Sequence, residues 1–513
     1  MSRTELAVPP TAAPSAPRPS SVPAAPAPVA ADVAPAPVAP APVAAAPVAP
    51  GASAPLSASL SAPEPASAGG IDPLRGSFAE FARPTGPDLI ARTAAIAPWI
   101  AARRAAEVWP YARAVAGGVG PVARAEGAQF APGMAADAAA GATYVDGLNF
   151  ATQDYLSLAA HPAVLAAAAD ALARYGVHSG GSGALQGRSA PSRALERELA
   201  ATLQMEHVVL FSSGWGAAFA AVTALVRPDD HVVMDRLAHA SLQAGAQAAT
   251  PNVTRVEHLS VPALERALAQ IRATDARHGI LVLTEGLFSM DADSPDLRAM
   301  QAVCRAYQAT LLVDAAHDFG ALGPGGTGHV GRSGLLGEVD LVMGAFSKTF
   351  AANGGFVATR SAGVRAYLEA YGGPYTFSNA LSPLQVAVVR QALAIVRGPE
   401  GDARRARLLA NVGALRTALA AHGLECLGEP AAVVPVLIGH TPLARLASGG
   451  VLRRGLFANL VEFPAVGVRA ARFRLQVQAD HTAAQAHEAA ARLAAAVAEA
   501  RHTLAARRGR PAV

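Results

Sequence analysis

The chain has 513 residues, a formal net charge of +4, 52% hydrophobic and only 5% aromatic residues, which is two to four domains' worth of chain. No basic stripe is interleaved with aromatics, which argues against nucleic-acid binding. Cys304 and Cys426 stand far apart without companion ligands, which argues against a disulfide framework or a zinc site and fits a reducing cytosol. There is no charged region followed by an apolar stretch at the N-terminus and no apolar run long enough to span a bilayer, so a soluble cytoplasmic protein is expected.

Residues 1–72 are almost entirely Ala, Pro, Val and Ser, as in Pro35-Ala-Pro-Val-Ala-Pro-Ala-Pro-Val43. Proline this dense blocks helix and ladder hydrogen bonds, so a disordered, partly polyproline-II tail is expected. An N-terminal arm is expected over 73–148, with Trp99, Trp109 and Tyr111 in helix-like stretches broken by Gly117-Gly118.

Over 149–385 the pattern alternates. Apolar, β-rich runs occur at His207–Phe211, His231–Met234, Ile280–Thr284, Leu311–Val313 and Asp340–Met343, with helix-like stretches such as Val261–Ala273 and Pro295–Tyr307 between them. Such alternation argues an α/β domain with a mostly parallel sheet, whose ligands bind at the carboxyl ends of the strands. Asp235, Glu285, Asp314 and Lys348 all fall at those ends. From 386 to 513 a smaller α+β C-terminal domain is expected. It contains a helix through Leu408, Val412, Leu415 and Leu419 with Gly423 as its cap, strands over Ala432–Ile438 and Arg472–Val477, and a solvated basic tail at 507–510.

Of 42 lysine and arginine residues, one alone, Lys348, is lysine. A solvated surface accepts either cation, but only a desolvated lysine loses its proton near neutral pH and attacks a carbonyl. Asp314, in Asp314-Ala-Ala-His317, is a carboxylate in a dry strand-end position and needs a cationic partner, which a protonated pyridine nitrogen would supply. His239 lies just past another strand end, where an imidazole could stack on a flat ring. Gly214 lies where a strand passes into a helix, a place that favours a phosphate. Together these are the requirements of pyridoxal 5'-phosphate (PLP), with the lysine forming a Schiff base.

An ordered series of stretches carries a resemblance: Asn149-Phe-Ala-Thr-Gln-Asp-Tyr-Leu156, Tyr175-Gly-Val-His-Ser-Gly-Gly-Ser182, Ser213-Gly-Trp215, His239-Ala-Ser241, Glu285-Gly-Leu-Phe-Ser-Met-Asp291, Asp314-Ala-Ala-His317, Phe346-Ser-Lys348 and Arg472-Phe-Arg-Leu475. The chain resembles the α-oxoamine synthases, a family of PLP enzymes. The resemblance implies a fold type I PLP-dependent transferase, with a mostly parallel seven-stranded sheet in the large domain. It implies that Lys348 holds the cofactor and later acts as a base, that Asp314 pairs with the pyridinium nitrogen, that His317 contacts the ring hydroxyl and that His239 stacks on the ring. Gly214, Trp215 and Ser347 would bind the phosphate, and Arg474 the substrate carboxylate. It further implies a homodimer in which Ser378 and Asn379 reach the partner's cofactor phosphate. The expected reaction is a decarboxylative condensation of serine, glycine or alanine with an acyl thioester of coenzyme A or an acyl carrier protein. An aminotransferase or carbon–carbon lyase of the same fold, and a degenerate partner subunit, are the alternatives. The chain departs from the family pattern at Ala315, where an acidic residue is usual, at Ala345, where threonine is usual, at Gly183, where arginine is usual, and at Gln153-Asp154, where asparagine is expected before Tyr155.

Overall fold

The computed structural model describes residues 70–126 and 144–507. The expected tail lies outside the described residues except for 70–72, as do residues 508–510 of the basic tail.

Two sheets organise the described chain. The antiparallel pair β1 (Val122–Glu126) and β2 (Tyr144–Phe150) comes first. It is followed by β3 (His207–Phe211), β4 (His231–Asp235), β5 (Val253–Val256), β6 (Ile280–Glu285), β7 (Thr310–Asp314), β8 (Leu341–Ala345) and β9 (Gly355–Thr359). These form a seven-stranded sheet in the order β3-β9-β8-β7-β6-β4-β5. Every neighbouring pair is parallel except those made by β9, which runs antiparallel to β3 and β8. β10 (Val433–Gly439), β11 (Leu456–Val461) and β12 (Ala471–Gln476) build the second sheet, in the order β1-β2-β11-β12-β10.

The central strands are apolar along their length because helices cover both faces. All six residues of β6 are buried, as are all five of β8 and of β9. β4, β6 and β7 end at Asp235, Glu285 and Asp314, and the register sets the last two side by side: Glu285 pairs with Asp314, and Asp314 with Met343 of β8. The turn from β8 back into β9 carries Lys348 at that same end. Within the second sheet β11 pairs in parallel with β2 and antiparallel with β12. Gly423 follows the helix Pro399–Ala421 with φ of +69°, the left-handed position a glycine accepts without a Cβ penalty.

The expectation of helical Trp109 and Tyr111 is corrected. Trp99 lies in the helix Ile96–Ala105, but Trp109 and Tyr111 lie past its end in irregular chain. Pro110 biases the residue before it away from helix, and the chain turns back so that the Trp109 ring stands 6.2 Å from that of Trp99.

Candidate active site

Seven of the residues singled out in the sequence line one cavity of about 390 Å³ at the carboxyl ends of the parallel strands: Gly214, Trp215, His239, Asp314, His317, Ser347 and Lys348. Three elements of the sheet deliver the ionisable ones. β8 and its turn bring Lys348, β7 brings Asp314 and His317, and the segment after β4 brings His239.

Lys348 is half-buried, with no hydrogen bond or ion pair among the described residues. Burial holds its ammonium below the usual lysine range; Asp314 and Glu285 raise it again and Arg474 lowers it. The Oδ1 of Asp314 accepts the Ala316 N–H at 2.9 Å. Burial pushes this carboxyl up, while the charges of Lys348 and His239 pull it back. His239 caps the helix Ala240–Ala249, its Nδ1 lying 2.7 Å from the Ser241 hydroxyl and accepting the Ser241 N–H at 3.3 Å. Loss of water around its ring lowers its pKa, with Asp314 opposing and Lys348 and Arg474 assisting. His317 is held well below the imidazole range by burial and then by the charges of Lys348, Arg474 and His239, so its ring is neutral.

The helix Gly214–Leu225 points its first N–H groups into the cavity wall, with Ser213 as cap accepting the Gly216 N–H at 3.0 Å. These leading N–H groups have no helical carbonyl partner, which makes the end receptive to an anion. Gly214 permits the close approach, since a Cβ there would meet the Ala345 Cβ at 2.4 Å.

Two residues stand apart from this cavity wall. Arg474 belongs to β12 of the second sheet. Its Nη1 donates to the Ser289 carbonyl at 3.3 Å, and its buried Nε has no partner. Ser378 is exposed, and its neighbour Asn379 hydrogen-bonds His178 at 3.1 Å.

Glu285 also lines the cavity, and the sequence reading gave it no role beyond its strand-end position. Burial, then the charge of Asp314, pushes it well above the carboxylate range, while the His239 N–H opposes this. Its side chain is thus biased toward the neutral form by its place beside Asp314. The signal was the register of two adjacent parallel strands, which no single motif contains.

The family model for aminotransferase class I and II matches residues 145–493. The 8-amino-7-oxononanoate synthase of Salmonella choleraesuis (strain SC-B67) is 36% identical over 342 residues, covering 67% of this chain and 86% of that protein. The chain belongs to the α-oxoamine synthase family. A Sphingomonas wittichii serine palmitoyltransferase structure aligns with TM-score 0.71 at 26% identity, over 80% of this chain and 99% of that one. The enzyme of S. paucimobilis, with a bound PLP–myriocin aldimine, aligns with TM-score 0.73 at 26% identity over the same shares. An 8-amino-7-oxononanoate synthase from Francisella tularensis, 22% identical, shares the fold with TM-score 0.57, over 68% of this chain and 97% of that one.

Two of this α-oxoamine synthase's departures from the family pattern, Ala315 and Gly183, have physical reasons. Ala315 is 1% exposed inside the main apolar core, where an acidic side chain would lose its water without gaining a partner. A Cβ at Gly183 would stand 2.5 Å from the Tyr375 ring, whose hydroxyl donates to the Gly183 carbonyl at 3.1 Å. The space next to the glycine-rich loop is thus filled by tyrosine.

Proposed function

We propose that this α-oxoamine synthase uses PLP to condense a small amino acid (serine, glycine or alanine) with an acyl thioester, releasing carbon dioxide and forming an α-amino ketone. The observation that carries the reading is the convergence of Lys348, Asp314 and His239 on one strand-end cavity. The residues fit the cofactor. A buried carboxylate, a neutral imidazole, a lysine without an ion partner and a glycine-opened helix end answer respectively the ring nitrogen, ring oxygen, aldehyde carbon and phosphate of PLP. Bound there, PLP supplies an electron sink for the substrate carbon.

Lys348 would hold the cofactor through its amine and, once freed, would serve as the base for the substrate's α-proton. Its depressed pKa suits that task, because a base is best with its pKa near the working pH. Asp314 would keep a proton on the ring nitrogen, His317 would serve the ring oxygen and His239 would stack on the ring. Gly214, Trp215 and Ser347 hold the phosphate. The Arg474 guanidinium binds the substrate carboxylate, and its unpaired buried Nε is a donor still in need of an acceptor. The acyl carrier is coenzyme A or an acyl carrier protein.

The working unit is a homodimer, with Ser378 contributing to the partner's phosphate site. Ser378 is exposed and its neighbour Phe377 is 89% exposed, both outside this chain's own cavity. The compartment is the cytoplasm. No helix among the described residues is long and apolar enough to cross a membrane.

The purified protein is expected to show a visible absorbance band and to release labelled carbon dioxide from an amino acid only when a thioester is supplied. Lys348→Ala should lose both. Turnover of that variant at the normal rate would rule out the role of the lysine, and amino-acid conversion without a thioester would point to an aminotransferase or lyase instead.

A further inference from the structure

His317 lines the cavity on one side and meets a buried polar chain on the other. Its Nδ1 lies 2.8 Å from the Tyr155 hydroxyl, and that hydroxyl lies 3.1 Å from the side-chain amide of Gln476. Tyr155 and Gln476 are fully buried, and neither lines the cavity. Their hydrogen-bonded route to the cavity passes through His317.

The protons in this chain can be counted. The His317 ring is neutral, so one of its two nitrogens carries a proton and the other is an acceptor. Burial pushes the Tyr155 phenol above its ordinary value, so it keeps its single proton. That proton can go to Gln476 or to His317, but not to both. Gln476 decides between them, because its Nε2 is buried with no partner as placed. Oxygen and nitrogen of a side-chain amide are distinguished by their hydrogen bonds alone. Exchanging them sets the orphaned N–H against the Tyr155 oxygen, and an unpaired carbonyl is the lesser cost in a buried site. The chain then runs in one direction: Gln476 N–H donates to Tyr155 O, and Tyr155 O–H donates to His317 Nδ1. The proton of His317 is left on Nε2.

We propose that Tyr155, oriented by Gln476, is a positioning residue that holds His317 in its Nε2–H tautomer, a fixed hydrogen-bond donor toward the ring oxygen of the cofactor. This rests on the reading that PLP occupies the cavity with His317 beside that oxygen. Gln476 lies two residues from Arg474 on β12, so the same strand carries the substrate-side arginine and the group that orients Tyr155. A donor at the ring oxygen draws charge from it. Less charge is then left to hold a proton on the lysine nitrogen bound to the cofactor, and that nitrogen titrates at lower pH.

The test is a pH titration of the visible absorbance of the PLP-loaded protein. Tyr155→Phe keeps the ring and removes only the hydroxyl. Its spectral midpoint is expected to move to higher pH by about half a unit to one unit, the worth of one neutral hydrogen bond. Gln476→Glu offers Tyr155 an acceptor in place of a donor, which turns the chain around and should move the midpoint in the same direction. Thermal melts show whether each variant is folded, and Gln476→Glu decides the matter if Tyr155→Phe is not. A wild-type midpoint in the folded, loaded variant overturns the proposal. A wild-type protein with no visible band that Lys348→Ala abolishes overturns the cofactor reading itself, and the proposal with it.

Discussion

A methyl group added at Gly214 would stand 2.4 Å from the Ala345 Cβ and 3.2 Å from its Cα, closer than packed carbons come. The helix end that faces the cavity therefore leans on the end of β8 with nothing between them, and this is how the leading N–H groups of that helix and the lysine turn share one cavity. Overpacking of this kind costs about 1–3 kcal/mol, so Gly214→Ala should lower the melting temperature and weaken retention of PLP. Ala345→Gly in the same chain removes the opposing methyl and should restore most of both. A Gly214→Ala single variant that melts and loads like the wild type would show that the contact is not tight. At this scale the sequence was legible wherever a residue had to be one type for chemical reasons, as with Lys348 in a chain that otherwise uses arginine. It was not legible where chemistry arises from a neighbour on another strand. The Glu285 carboxyl is pushed up by burial and by the Asp314 charge that the register sets beside it, and the partners of Tyr155 are 162 and 321 residues away.

The segment after β6 is clasped by three side chains from two sides, which fixes it between the two sheets. Arg472 of β12 pairs with Asp291 and donates to the Met290 carbonyl at 3.0 Å. Arg474 donates to the Ser289 carbonyl. On the far side His258 bridges two carboxylates, its Nδ1 2.9 Å from Asp235 and its Nε2 3.1 Å from Asp293. Burial lowers the pKa of His258, but its hydrogen bonds to Asp235 and Asp293 outweigh this and raise it to about 9. A histidine whose folded value is raised stabilises the fold fully below its unfolded value of 6.5 and loses that contribution as pH climbs through about 9. His258→Gln should therefore cost about 2–3 kcal/mol in urea unfolding at pH 6 and much less at pH 10. A deficit that stays constant across that range would mean that the bridge carries no proton-linked energy. The strands flanking this segment were readable because each is a short apolar run ending at a polar residue. β9 and β11 were not picked out, and nothing local announces that β2 joins β11, which lies some three hundred residues onward; such pairings are chosen by tertiary fit.

Across the whole molecule, the N-terminal segment is tied to the C-terminal sheet by one carboxylate between two guanidiniums. Arg103, Arg445 and Glu462 are all buried. One oxygen of Glu462 accepts from Arg103 at 3.0 Å and from the Tyr111 hydroxyl at 3.2 Å, and the other accepts from Arg445 at 2.7 Å. Arg445 also donates to the carbonyls of Arg75 at 3.0 Å and Gly76 at 2.7 Å. The Arg103 guanidinium lies over the rings of Trp99 and Trp109, 4.8 and 5.1 Å from their centroids. Two buried cations sharing one anion make that anion decisive, because its removal leaves both unpaired and facing each other. Breaking a buried pair costs about 3–5 kcal/mol, so Glu462→Gln should reduce stability by that amount in urea unfolding and open residues 75–111 to protease before the rest of the chain. Arg305–Glu338 is the internal control, an ion pair with both side chains about half exposed, and Glu338→Gln should leave the unfolding midpoint nearly unchanged. If the two variants lose the same small amount, the aromatic packing around Arg103 holds the segment on its own and Glu462 is a bystander.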